Sequence, residues 1–235
     1  EKNLSYQKLF TKKDVGKPKA EVLGKRLGHP YKILDLDYTN VSFLKADLII
    51  DCTDNLETRF LINEYCSKKK IPWVYTGLVG SQGRMMPCTG EFCFSCVFSE
   101  VKGLETCETA GVNPAMVNKL AQVVEQEVHR ISEGKLSSGL WANGSWIQVK
   151  RNKDCHVCKG KYIYLEGKKE RIIKFCGSSR YQFKGNFDFT NVKKRLKGNC
   201  NWFVYEDFYI FPDRVLVKAS SEKEAKKKFA KVIGC

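Results

Sequence analysis

Ala46-Asp47-Leu48-Ile49-Ile50-Asp51-Cys52-Thr53-Asp54-Asn55 is a mainly apolar run that leads into acids. It reads as a buried parallel strand with polar groups at its carboxyl end, the place where open α/β sheets bind ligands. On its downstream side, residues 56–69 form an amphipathic helix with Phe60, Leu61, Tyr65 and Cys66 on one side, and residues 73–79 give the next strand. Upstream, residues 18–27 predict a helix with Pro18 in its first turn and Gly28 just past its end, and residues 31–38 alternate like a strand. Asn113-Pro114 is a cap followed by a proline, and Met116, Val117, Leu120, Val123, Val124, Val128 and Ile131 make the apolar stripe of the helix it starts. Strand and helix signals alternate in this way through the first 150 residues, which predicts a Rossmann-like α/β fold with a mostly parallel sheet and crossover helices.

After Cys158 the pattern changes. A hairpin-like stretch at 161–175, a helix at 189–196, strands at 202–205, 208–211 and 214–218 and a closing helix at 221–233 predict a small α+β domain. The boundary is placed near residue 160, giving domains 1–160 and 161–235.

The 235 residues are 43% hydrophobic and 29% charged along the whole length, which suits a folded chain. No stretch approaches the roughly 18 to 20 apolar residues of a membrane span, and Glu1-Lys2-Asn3 does not open a signal peptide, so a cytoplasmic protein with no membrane partner is expected. The net charge of +15 favours anionic partners: nucleotides, nucleic acid or an acidic protein. Runs such as Lys68-Lys69-Lys70 and Lys226-Lys227-Lys228 read equally well as solvated polar faces, and no basic-aromatic motif singles out nucleic acid.

Four of the eleven cysteines form two Cys-x-x-Cys pairs, Cys93/Cys96 and Cys155/Cys158. Two such knuckles supply four thiolates for tetrahedral zinc, and with every ligand position filled by protein the metal would be structural. Asp54 follows the strand end, where a carboxylate can hold magnesium against phosphates; followed by Glu57, it reads equally as a cap of the next helix. Lys17-Pro18-Lys19 places two cations at a helix start, where the macrodipole disfavours them unless an anion is bound. Cys107, in the polar loop Glu105-Thr106-Cys107-Glu108-Thr109-Ala110-Gly111, is a candidate nucleophile whose neighbouring acids oppose thiolate formation.

These sites occur in an order that resembles the ThiF/MoeB/HesA family of adenylyltransferases related to the ubiquitin-activating enzymes. The matching segments are Asn3-Leu4 with Gln7, Val15-Gly16-Lys17-Pro18-Lys19, residues 47–55 with Arg59, Gly83 with the Cys93/Cys96 knuckle, residues 107–112, and the Cys155/Cys158 knuckle, covering residues 1–160. The resemblance implies that the C-terminal glycine carboxylate of a ubiquitin-like or sulfur-carrier protein attacks the α-phosphate of ATP. Lys19 would contact phosphate, Asp54 would bind Mg2+, and Gln7, Asn55 and Arg59 would help form the nucleotide site. Cys107 matches the position of a thiol that accepts the activated acyl group in some members, and residues 80–87 match the segment leading to the carrier-tail channel. A homodimer is also implied.

Two departures from the family pattern stand out. Tyr6 occupies a position that the family fills with arginine. The resemblance also implies that a first strand, a Gly-rich phosphate turn and a ribose-binding acid precede Glu1, so residues 1–160 are expected to be an N-terminally incomplete adenylation domain. Both features support the alternative of a catalytically weak, zinc-stabilised dimerisation or docking protein of the same fold. Residues 161–235, including Phe211-Pro212-Asp213-Arg214, read as a structural or carrier-docking unit; Cys176-Gly177-Ser178-Ser179-Arg180 hints at an anion loop but is short for one.

Overall fold

The computed structural model describes residues 4, 7–98, 111–135, 137–168, 172–174, 179–184, 187–198, 202–212 and 214–233. The first helix, α1 (Lys19–Leu27), starts after Pro18 and ends at Gly28, whose left-handed φ of 68° closes the last turn. Strand β1 (Ile49–Asp51), helix α2 (Leu56–Lys69) and strand β2 (Trp73–Val79) form a right-sized crossover, with β1 and β2 parallel and Asp51 opposite Tyr75. Strand β3 (Gln82–Cys88) returns antiparallel to β2 through the two-residue loop Gly80-Ser81, with Gly80 at φ 58°. The short helix α3 (Phe94–Val97), the long helix α4 (Pro114–Ser132) and strands β4 (Leu140–Ala142) and β5 (Ser145–Ile147) follow, and the sheet order is β1-β2-β3-β4-β5.

The mostly parallel sheet expected from the sequence is corrected here. Among the described residues of this sheet one strand pairing is parallel and three are antiparallel; β2–β3 and β4–β5 are joined by two-residue turns, which can only reverse the chain. Residues 31–38, expected as a strand, take no ladder partner among the described residues and leave Ile33 exposed. The strand β3 was not expected; Pro87 discourages that reading, but β4 pairs only with Arg84 and Met85, so Pro87 lies where that neighbour has ended.

The sheet is covered on both faces. Trp73, Tyr75 and Met86 point toward α2 with Phe60, Leu61, Phe92 and Phe94, whereas Val74 and Met85 point toward α4 with Leu120, Met116 and Trp141. A Cβ on Gly83 would lie 2.9 Å from the Met116 sulfur and 3.3 Å from the Trp141 ring, so glycine permits this close approach of β3 and α4.

Beyond the second Cys-x-x-Cys pair lies another sheet, ordered β6-β7-β10-β9-β8, built from β6 (Ile172–Lys174), β7 (Arg180–Lys184), β8 (Phe203–Tyr205), β9 (Phe208–Ile210) and β10 (Arg214–Lys218). Helices α5 (Phe189–Arg195) and α6 (Glu222–Val232) bring Val192, Ala225 and Phe229 to its core of Tyr181, Phe183, Phe208, Ile210, Val215 and Val217. Asp35, in the segment before β1, meets this second sheet: its Oδ2 lies 2.9 Å from Lys184 Nζ and 3.2 Å from Arg214 Nη1. No helix among the described residues is long and apolar enough to cross a membrane.

Candidate functional site

The four paired cysteines come together, all four Sγ atoms lying within 4.8 Å of one another. Cys93 Sγ is 3.8 Å from Cys96, 3.5 Å from Cys155 and 3.6 Å from Cys158, and Cys96 is 3.5 Å from Cys158. A tetrahedral ion with metal–sulfur bonds of about 2.3 Å separates its sulfurs by about 3.8 Å. The cluster can therefore hold a metal ion with little adjustment. Local sequence fixes each knuckle. Phe94, between the first two thiols, is swallowed by the core against Phe60, Tyr75 and Phe98 at centroid distances of 5.2, 4.9 and 4.5 Å. Arg151, just before the second pair, donates to the carbonyls of Gly90 (2.8 Å) and Glu91 (3.0 Å), just before the first. Cys66 and Cys88 lie outside the cluster, and burial pushes the Cys66 thiol up to about 12 and the Cys88 thiol well above its ordinary value, which makes both inert.

A second centre forms at the carboxyl end of β1. Asp51, 1% exposed, receives the Thr53 N–H at 2.9 Å, the Thr53 hydroxyl at 2.6 Å and Arg59 Nε at 3.1 Å. Arg59 also donates to the carbonyls of Thr53 and Thr76, the latter at 3.0 Å, and the Thr76 hydroxyl donates to the Asp51 carbonyl at 2.6 Å. Burial pushes the Asp51 carboxyl above its ordinary range, opposed by the Arg59 guanidinium and the Thr53 bonds. Arg59 thus acts as a brace that fixes the strand end and the first turn of α2.

The helix cap expected as one reading of Asp54 belongs to Asn55 instead: its Oδ1 accepts the Thr58 N–H at 2.7 Å. Asp54 itself is exposed, and among the described residues it takes no hydrogen bond or ion pair. Its carboxylate is therefore left facing solvent between the strand end and the helix N-terminus. Lys19 is the exposed first residue of α1, and Gln7 is half-buried in the segment before it. Asp14 orders that segment by accepting from Thr11 N–H at 2.8 Å and from Arg26 Nη2 at 3.0 Å. No hydrogen bond among the described residues joins Lys19 or Gln7 to the Asp51–Arg59 centre. Cys107 and Tyr6 lie outside the described residues.

Sequence reasoning missed Thr76, Asn63 and Glu64. The last two are fully buried in the middle of α2, and their only sequence signal is that a polar pair interrupts the apolar residues from Phe60 to Cys66. The expected polar side of α2 is absent: residues 58 and 60–66 are all buried, because the loop of Cys93 and Cys96 and residues 163–165 cover the face turned away from the sheet.

A sequence model of the ThiF family matches residues 1–157. The chain is 27% identical to the sulfur carrier protein ThiS adenylyltransferase of Escherichia coli, an alignment covering 67% of this chain and 71% of that protein. It is 29% identical to the molybdopterin-synthase adenylyltransferase of the same organism, over 66% of this chain and 72% of that one. Its fold is similar to that of E. coli MccB solved with MccA-N7isoASN, with a TM-score of 0.56 at 20% identity, covering 67% of this chain and 56% of MccB. The chain thus spans little more than half of that solved structure.

Proposed function

The chain belongs to the ThiF family, and from that membership we propose that it takes part in the ATP-dependent adenylation of the C-terminal glycine of a ubiquitin-like or sulfur-carrier protein. The observation that carries this reading is Asp54: an exposed carboxylate without a partner among the described residues, at the carboxyl end of a buried strand and beside a capped helix N-terminus. A carboxylate so placed can hold Mg2+ against the phosphates of ATP, while the helix N-terminus favours the phosphate charge. Attack on phosphorus then needs mainly positioning and charge neutralisation. Lys19 supplies a phosphate-facing cation, Gln7 and Asn55 line the nucleotide, and Arg59 keeps the strand end rigid through Asp51.

Cys93, Cys96, Cys155 and Cys158 hold one structural Zn2+; the sulfur spacing and the all-thiol donor set favour this ion. Residues 1–160 constitute the adenylation domain, working as a homodimer, and Cys107 accepts the activated acyl group. Residues 161–235 dock the carrier. They hold 18 of the 41 basic side chains and only 8 of the 26 acidic ones, and Trp202 and Val204 at the edge of the second sheet are 51% and 54% exposed. An acidic carrier fits this surface.

Exchange of labelled pyrophosphate into ATP, dependent on a carrier with a C-terminal glycine, tests the reading. Carrier-dependent exchange is expected; its absence from a chain that binds both ATP and carrier would leave a docking protein of the same fold.

A further inference from the structure

We propose that Asn63 and Glu64 are the positioning residues of the four-thiol site, fixing both metal loops against α2 before the metal binds; this rests on the zinc reading above. The two ligand pairs come from loops 62 residues apart, so the ion alone would have to close a long chain loop. The protein closes it through the backbone instead. Asn63 Oδ1 accepts the N–H of Phe94, between the ligands Cys93 and Cys96, at 2.9 Å, and Asn63 Nδ2 donates to the Ser95 hydroxyl at 3.1 Å. One residue on, the Glu64 carboxylate accepts the N–H groups of Ile163 at 3.1 Å and of Tyr164 and Leu165 at 2.8 Å each, directly after the second knuckle. His156, between Cys155 and Cys158, places Nε2 3.4 Å from Glu64 Oε1.

Asn63 and Glu64 are each 0% exposed, so water cannot replace these bonds, and a carboxylate gathering three N–H groups is a strong, charge-assisted anchor. The same helix carries Arg59 one turn earlier, braced on Asp51. The metal loops are thereby fastened to the element that also shapes the end of β1.

Zinc transfer from the loaded full chain to a chromogenic chelator tests the proposal. Release is expected to be at least tenfold faster in Glu64→Gln and in Asn63→Ala. Glu127→Gln serves as the control: Glu127 is a buried carboxylate on α4 that accepts from Ser137 N–H at 3.3 Å, and its loss is expected to lower the Tm without changing release. Hydrogen exchange on the zinc-stripped parent needs no variant. The amides of Phe94, Tyr164 and Leu165 are expected to stay protected. Parental release rates in both α2 variants of a zinc-loaded chain, or rapid exchange of those amides in the stripped parent, would overturn the inference alone. A parent chain that binds no zinc would overturn the metal reading and this inference together.

Discussion

Asn63 and Glu64, adjacent and fully buried on α2, accept backbone N–H groups from the segments that carry the two cysteine pairs: Phe94 at 2.9 Å and Tyr164 at 2.8 Å. Neighbouring residues on a helix point about 100° apart, so one helix can grip two loops only if both pack around it. That geometry explains why α2 is buried nearly all round and why both knuckles arrive at one place.

Metal analysis of the purified chain is expected to give about one zinc per chain. Its removal should lower the Tm, because an ion that binds only the folded site adds its binding energy to stability, while the bonds from α2 to Phe94, Tyr164 and Leu165 persist. A metal-free protein with an unchanged Tm would remove zinc from the account.

Asp54→Ala and Asn55→Ala separate chemistry from capping. Asp54 is exposed and unpartnered among the described residues, so its loss should change stability by no more than about 0.5 kcal/mol while abolishing pyrophosphate exchange. Asn55 caps α2, so its replacement should cost about 1 kcal/mol of stability. Exchange that persists in Asp54→Ala would show that this carboxylate does not serve ATP.

Arg59→Ala should destabilise the fold by about 3–5 kcal/mol at neutral pH, because it leaves Asp51 charged and buried without its cation. The Asp51 carboxyl is already raised above 3.8 in the folded chain, so the folded state holds this proton more tightly than the unfolded one. Its contribution to stability is therefore lost as pH rises through that raised value. Without Arg59 the carboxyl rises further. The Tm deficit of the variant should shrink from pH 7 to pH 5, and a deficit independent of pH would mean that Asp51 does not titrate in this window.

Cys107→Ala is expected to leave pyrophosphate exchange unchanged and to block acyl transfer from the adenylate, in which AMP leaves, with loss of a hydroxylamine-labile thioester adduct of the carrier. Transfer at the parental rate would make Cys107 a bystander and the adenylate the end point.

Trp202→Ala should weaken binding of an acidic carrier at least tenfold with little change in Tm, because half of this side chain already lies in water. Titration calorimetry at two salt concentrations reads both the loss and the electrostatic share.

The sequence by itself determined the elements with strong local signals. The limits of α2, β2 and β10 and the start of α4 at Asn113-Pro114 follow from apolar runs, caps and proline, which act within a few residues. The cysteine cluster was equally legible, since Cys-x-x-Cys spacing is itself a local geometry. What only the tertiary structure decided depends on partners distant in the chain. The direction of β3 was set by a two-residue loop, and residues 31–38 formed no strand because alternation cannot supply a neighbour to pair with. Asp54 and Asn55 carry the same capping chemistry in sequence, and only the backbone at the start of α2 chose Asn55. Asn63 and Glu64 look like ordinary polar residues of a surface helix. Their burial was decided by loops about 30 and 100 residues away, and no periodicity within α2 records a cover that comes from so far along the chain.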